Sequence, residues 1–176
     1  MNRTPTGRVL RTAEGRDLEL IRTYRAPIED VWASLTESER TARWFGAWRG
    51  EAGPGKTIRY TMGFEQGAPE GEMTILACEA PRHLSLLGDD ASGSWHLEAW
   101  LTERSGATEL RFVHHLTPDI SVADVGPGWE YYLDMLTFSR EGGSQPQWEE
   151  FYPAQKEYYA SRAAGGAAGG SASTPA

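Results

Sequence analysis

A chain of 176 residues, 39% of them hydrophobic, is long enough for one domain with a substantial core. Its net charge of −8 argues against a nucleic-acid binder, which needs a basic face to displace counterions, and against docking on an anionic membrane surface. One cysteine, Cys78, excludes an internal disulfide framework, the opening MNRTPTGR lacks a signal-peptide core, and no run approaches the roughly 18 apolar residues of a spanning helix, so the expectation is a cytoplasmic protein with no membrane insertion.

Residues 1–7 read as a flexible, untethered N-terminus. A hairpin follows: VLRT, a turn at Glu14 and Gly15, then DLELIRTYRA with Leu18, Leu20 and Thr23 alternating. In APIEDVWASLTESERTARWFG, Ile28, Val31, Trp32 and Leu35 recur at i, i+3, i+4 and i+7, one apolar stripe on a helix, and Pro27 suits its first position. Thr36 with Glu39 has the spacing of a capping box for a second short helix, and Gly46 is placed to end it in the left-handed conformation. The aromatic pair Trp44 and Phe45 leads into a series of about five antiparallel strands. Ile58, Tyr60, Met62 and Phe64 alternate strictly, which predicts a half-buried strand; EMTILACEA and HLSLLG supply two more, separated by a turn at Pro81.

The next two strands carry the clearest pattern. SWHLEAWLTE places Trp95, Leu97, Ala99 and Leu101 on one face, and ATELRFVHHL does the same for Leu110, Phe112, His114 and Leu116. A four-residue loop over residues 104–107 pairs Leu101 with Leu110 and Leu97 with His114, so both apolar sets meet on one side. The same register sets His96 opposite His115 on the other side, with Glu98 nearby. A long helix is expected within residues 121–140, with Trp129, Tyr132, Leu133 and Leu136 as its stripe. Ser121 could cap an early turn of it, but Gly126, Pro127 and Gly128 would kink or interrupt that turn, so Pro127 at the first helical position is the simpler start. Glu130 and Asp134 fall outside the stripe and are expected to face solvent. QWEEFYPAQKEYYAS predicts a helical turn and a packed aromatic segment. Residues 161–176 are Gly, Ala and Ser with almost no charge, and read as a disordered tail.

Three stretches carry a resemblance: AP-x-E-x-VW-x-x-LT-x-x-E-x-x-x-x-WFG, GE-x-T-x-L-x-x-E-x-P-R-x-L and GW-x-Y-Y-L-D-x-L. Together they make the chain similar to the START-like (SRPBCC) superfamily, and within it to the activators of the ninety-kilodalton heat-shock chaperone ATPase, C-terminal-domain type. The resemblance covers residues 8–160, which then form one START-like domain. It implies an α+β helix-grip fold, in which a curved antiparallel sheet wraps a long C-terminal helix over a hydrophobic cavity. Superfamily members include lipid and hormone binders and polyketide cyclases. The eukaryotic chaperone activators carry a further N-terminal domain for which this chain has no room.

The expected inner surface consists of Trp44, Tyr60, Met62, Phe64, Met73, Trp95, Leu97, Phe112, His114, Tyr132 and Met135. On a helix-grip fold these residues are candidates to hold a hydrophobic or aromatic small molecule. His114 is the titratable group on that face: a candidate acid or base for a cyclase- or aromatase-like reaction, or a histidine satisfied inside the core. His96, His115 and Glu98 form a cross-strand cluster whose commoner reading is solvated surface polarity, so no metal is expected. No phosphate loop, nucleophile elbow or HExxH motif is present, and no cofactor is expected. Besides a small hydrophobic ligand, a chaperone in a stress-response role or a second copy of the chain are the partners that this reading allows.

Overall fold

The computed structural model describes residues 3–90 and 93–164. Its frame is one eight-stranded antiparallel sheet in the order β1-β2-β8-β7-β6-β5-β4-β3. The N-terminal hairpin joins β1 (Arg8–Thr12) to β2 (Gly15–Tyr24) around the expected turn. On β2 the inner face runs through Leu18, Leu20, Arg22 and Tyr24; Thr23 has the opposite parity and is exposed.

Helix α1 (Ile28–Thr36) buries Ile28 and Val31 and half-buries Trp32 and Leu35, as its stripe requires. Its start differs by one residue, because Pro27 is the extended residue just before it. The expected capping box does not form. Thr36 ends α1 and donates its hydroxyl back to the Trp32 carbonyl at 2.8 Å, while Glu37 precedes α2 (Ser38–Thr41) without a side-chain cap. A threonine hydroxyl can satisfy itself inside its own helix, and here that contact prevails over capping the next. Gly46 is required for a different reason from the one expected. Its backbone is not left-handed, but a side chain there would run into the Thr61 carbonyl.

Six strands follow rather than about five: β3 (Trp48–Arg49), β4 (Thr57–Thr61), β5 (Glu70–Glu79), β6 (His83–Asp90), β7 (Gly93–Arg104) and β8 (Ala107–Leu116). The strand expected to run to Phe64 stops at Thr61. The chain turns after Met62, whose amide bonds to the Pro69 carbonyl, and Phe64 lies in that turn, 36% exposed. The β7–β8 register pairs Leu101 with Leu110, Leu97 with His114 and His96 with His115, as the alternation demands. The loop is tighter than expected: Arg104 pairs with Ala107, leaving Ser105 and Gly106, both at positive φ, as a two-residue turn of the type hairpin twist favours.

Helix α3 (Val122–Glu141) lies over the inner face of the sheet. It starts five residues before Pro127, so the proline costs one intrahelical bond instead of marking the start. Gly126 relieves the usual clash between a proline ring and the preceding Cβ. The missing side chain at Gly126 also makes the seat for the Tyr159 ring. The α3 stripe of Trp129, Tyr132, Leu133 and Leu136 is buried as expected.

Glu130 corrects a further expectation. It is 2% exposed and accepts hydrogen bonds from the Thr6 amide, the Gly7 amide at 2.8 Å, Tyr159 OH at 2.6 Å and Arg22 Nη2 at 2.8 Å. Asp134 pairs with Arg3 and Arg22. Residues 3–7 are therefore tied to α3 rather than untethered. A 3₁₀ turn (Trp148–Glu150) and helix α4 (Lys156–Ala164) pack Phe151 and Tyr159 against the same side. The tail expected from residue 161 falls partly within α4, and the rest lies outside the described residues. Among the described residues, no helix is long and apolar enough to cross a membrane.

Candidate functional site

Two rows of side chains cross the inner face of the sheet. Leu18, His114, Leu97 and Leu86 form one; Leu20, Phe112, Ala99 and Leu84 form the next. Over the end of the sheet toward β4 and β5, α3 does not close on these rows, and a cavity is left in two parts. The inner chamber, about 160 Å³, is apolar, with Trp44, Ile75, Leu97, Phe112 and Leu133 among its walls. The outer chamber, about 460 Å³, lies between α3, Trp95 and the turn after β4. Phe45, Tyr60, Met73 and Trp129 line both, so the two parts share a wall of three aromatic rings and one thioether.

Local sequence explains how these groups are held. Trp44 donates its indole N–H to the Ser34 carbonyl at 2.9 Å, and Trp48 donates to the Thr36 carbonyl at 3.1 Å, so the end of α1 fixes the aromatic pair that follows it. Phe45 then packs against both Tyr60 and Tyr132, with ring centroids at 5.6 and 5.2 Å. Tyr132 OH donates to Glu65 Oε1 at 2.9 Å. Burial and the Glu65 charge push the Tyr132 phenol well above its ordinary range, so it remains a donor.

The outer chamber carries four carboxylates, Glu65, Asp90, Asp119 and Asp124, and neither chamber is lined by Lys, Arg or His. Asp124 is paired with Lys156 at 2.8 Å. Trp95 also lines the outer chamber, and its buried indole N–H has no acceptor among the described residues.

His114 is fully buried and lines neither chamber. It stacks on Trp95 and accepts the Trp129 indole N–H on Nδ1 at 3.2 Å. An indole nitrogen can only donate, so this bond fixes the neutral Nε2–H tautomer. Burial pulls the pKa of His114 from 6.5 down to about 4. Besides the Trp129 indole, a main-chain hydrogen bond with Ser94 satisfies the ring, as is common for a core histidine.

Of the remaining side chains singled out by alternation, Trp44, Tyr60, Met73, Leu97 and Phe112 line the inner chamber, and Met62, Trp95 and Tyr132 the outer. Met135 is buried away from both, and Phe64 faces outward. Alternation missed Phe45 and Trp129, although both stand in the aromatic motifs that mark the fold. It also missed the carboxylates, most of which sit in turns and helix ends where no periodicity points inward.

Residues 25–138 match the family model described as activator of Hsp90 ATPase homolog 1-like protein. No curated protein matches the chain in sequence. Among solved structures the chain is similar to CalU16 of Micromonospora echinospora, at 26% identity and a TM-score of 0.72, with 90% of this chain and 96% of that one covered. A protein of Bordetella parapertussis matches at 25% identity and a TM-score of 0.70, covering 90% and 91%. DynU16, a protein of the dynemicin biosynthetic locus, shares the fold at 20% identity and a TM-score of 0.64, with 78% of this chain and 50% of that one covered. The helix-grip α+β fold expected from the START-like motifs is the fold that the chain has.

Proposed function

Because the chain belongs to the activator of Hsp90 ATPase homolog 1-like family, whose START-like fold is a ligand-binding domain, we propose that it binds a small hydrophobic molecule between the sheet and α3. The observation that carries this reading is the pair of adjacent chambers that share Phe45, Tyr60, Met73 and Trp129 in their walls, the outer one within the size range of small-molecule sites. The apolar or aromatic body of the ligand occupies the inner chamber. Its polar end, in the outer chamber, is neutral or positively charged, since four carboxylates and no basic side chain surround it. The indole N–H of Trp95 is the donor available to an acceptor on the ligand. Binding rather than cyclase chemistry is the reading favoured here: His114 lines neither chamber, and its basic nitrogen is taken by Trp129.

Mass spectrometry of small molecules retained by the purified protein tests this proposal. We expect an apolar neutral or amine-bearing compound that raises the melting temperature when added back. A retained carboxylate or phosphate ester would contradict the assignment of the polar end. Failure of any neutral or amine-bearing aromatic compound to shift melting would contradict binding itself.

A further inference from the structure

The opposite face of the sheet holds a second arrangement of polar side chains. Three of the four histidines, His83, His96 and His115, gather around Glu98 there. Their placement follows from register. Asp17 on β2, His115 on β8 and His96 on β7 are directly cross-strand from one another, and Glu98 is the next outward residue along β7. One donor atom each from His96, Glu98 and His115 lies within 4.8 Å of the other two.

We propose that His96 Nε2, His115 Nε2 and Glu98 Oε1 form a binding site for a divalent transition-metal ion, with zinc as the reference ion. Glu98 Oε1 stands 3.8 Å from each of the two imidazole nitrogens. That is too long for a hydrogen bond. It is close to the spacing of about 3.4 Å that tetrahedral ligands take around zinc at bond lengths near 2.0–2.1 Å. The gap among the three atoms is thus of the size an ion fills, and closing it needs only side-chain adjustment.

Two of the three ligands are already oriented from behind. Asp17 Oδ1 accepts from His115 Nδ1 at 2.7 Å, which leaves the lone pair of Nε2 turned toward Glu98. This is the carboxylate–histidine pairing that supports metal-bound imidazoles. Trp100 donates its indole N–H to Glu98 Oε2 at 2.8 Å, which leaves Oε1 as the oxygen facing the histidines. The contact that competes is a single neutral hydrogen bond between the Ser85 hydroxyl and His96 Nε2, at 3.2 Å. Two imidazoles and a carboxylate suit zinc, and three protein ligands leave a coordination position open toward solvent. Bound there, the ion ties β7 to β8 directly, and to β2 through Asp17.

The test is calorimetric titration of the tag-free, chelator-treated full chain with zinc chloride, with the metal-free melting curve of each variant as the fold check. We expect one zinc per chain, a higher melting temperature with zinc, and loss of both effects in His96→Gln and His115→Gln. Asp17→Asn touches no ligand atom and should weaken binding by about 10- to 100-fold. This variant keeps the test decisive if a histidine variant loses its fold. Cys78→Ser, which removes the one thiol, should bind as the wild type does. No saturable uptake at micromolar zinc, uptake unchanged in both histidine variants, or uptake lost in Cys78→Ser would overturn the proposal.

Discussion

On one side of α3, Glu130 accepts from Thr6, Gly7, Arg22 and Tyr159, so a buried charge has its hydrogen bonds made. Three residues further along the same helix, Leu133 faces the inner chamber, and on that side of the helix the buried indole N–H of Trp95 has no partner among the described residues. The contrast divides the labour of the helix. The side packed against the N-terminal segment and α4 anchors α3 to the sheet. That anchoring lets the other side remain incompletely packed, which is the condition for receiving a ligand. Burial alone would raise the pKa of Glu130. The hydrogen bonds from Tyr159 and Thr6 and the charge of Arg22 outweigh it, and the carboxyl is held below its usual range.

The sharpest way to break the anchored side is Glu130→Gln, which leaves Asp134 as the one carboxylate paired with Arg22 among the described residues and disturbs the contacts of Thr6, Gly7 and Tyr159. Removing one partner of a buried ion pair costs about 3–5 kcal/mol. Denaturant unfolding should show a loss of that order while occupancy of the cavity, in whatever fraction stays folded, is unchanged. A loss below about 1 kcal/mol would mean that the network does not anchor the helix.

The cavity side answers to pH instead. His114 has a folded pKa of about 4 against 6.5, so between these values the folded state binds fewer protons than the unfolded state. Its contribution is therefore complete above about pH 6.5 and is lost progressively as the pH falls through 4, in total about 3 kcal/mol. Protonation would also place an N–H against the Trp129 indole N–H. His114→Gln should flatten the stability–pH curve between pH 6.5 and 4.5, where His96, also lowered by burial, supplies a smaller share. Below pH 4.5 the paired carboxylates Glu19 and Glu130 take over, since their folded pKa values are depressed. An unaltered curve in His114→Gln would contradict the buried, neutral histidine.

How much of this was legible in the sequence differs between the same two sides. The cavity walls on β7 and β8 could be read because each strand alternates and the two patterns agree in only one register, which pairs Leu97 with His114. The stripe of α3 was equally plain. The anchored side was not, because a glutamate outside an apolar stripe looks solvent-facing until the segments that cover it are placed. Those segments, residues 3–7 and α4, carry no pattern that points to Glu130. Pro127 misled the start of α3 because its flanking glycines, of which Gly126 relieves the clash, also look like helix breakers. Phe64 was misplaced because alternation continues through the turn at Gly63, where the strand no longer does. For the outer cluster, sequence gave the pairing of His96 with His115. The orientation of His115 by Asp17 and of Glu98 by Trp100 appears only with the strands and side chains in place.

The central claim is that the space between the sheet and α3 is a binding site, and filling that space tests it most directly. Ala99 points into the inner chamber between Phe112 and Leu84, and Ala99→Phe would occupy the chamber from the sheet side. Enlarging a side chain into existing space should cost little stability, no more than about 1–3 kcal/mol. The measurement is equilibrium fluorescence of a neutral apolar dye, Nile red, titrated with the wild-type protein and with Ala99→Phe. Saturable binding at one dye per wild-type chain, abolished in a folded Ala99→Phe, is the result predicted. Equal binding by both proteins, or none by either, would contradict it.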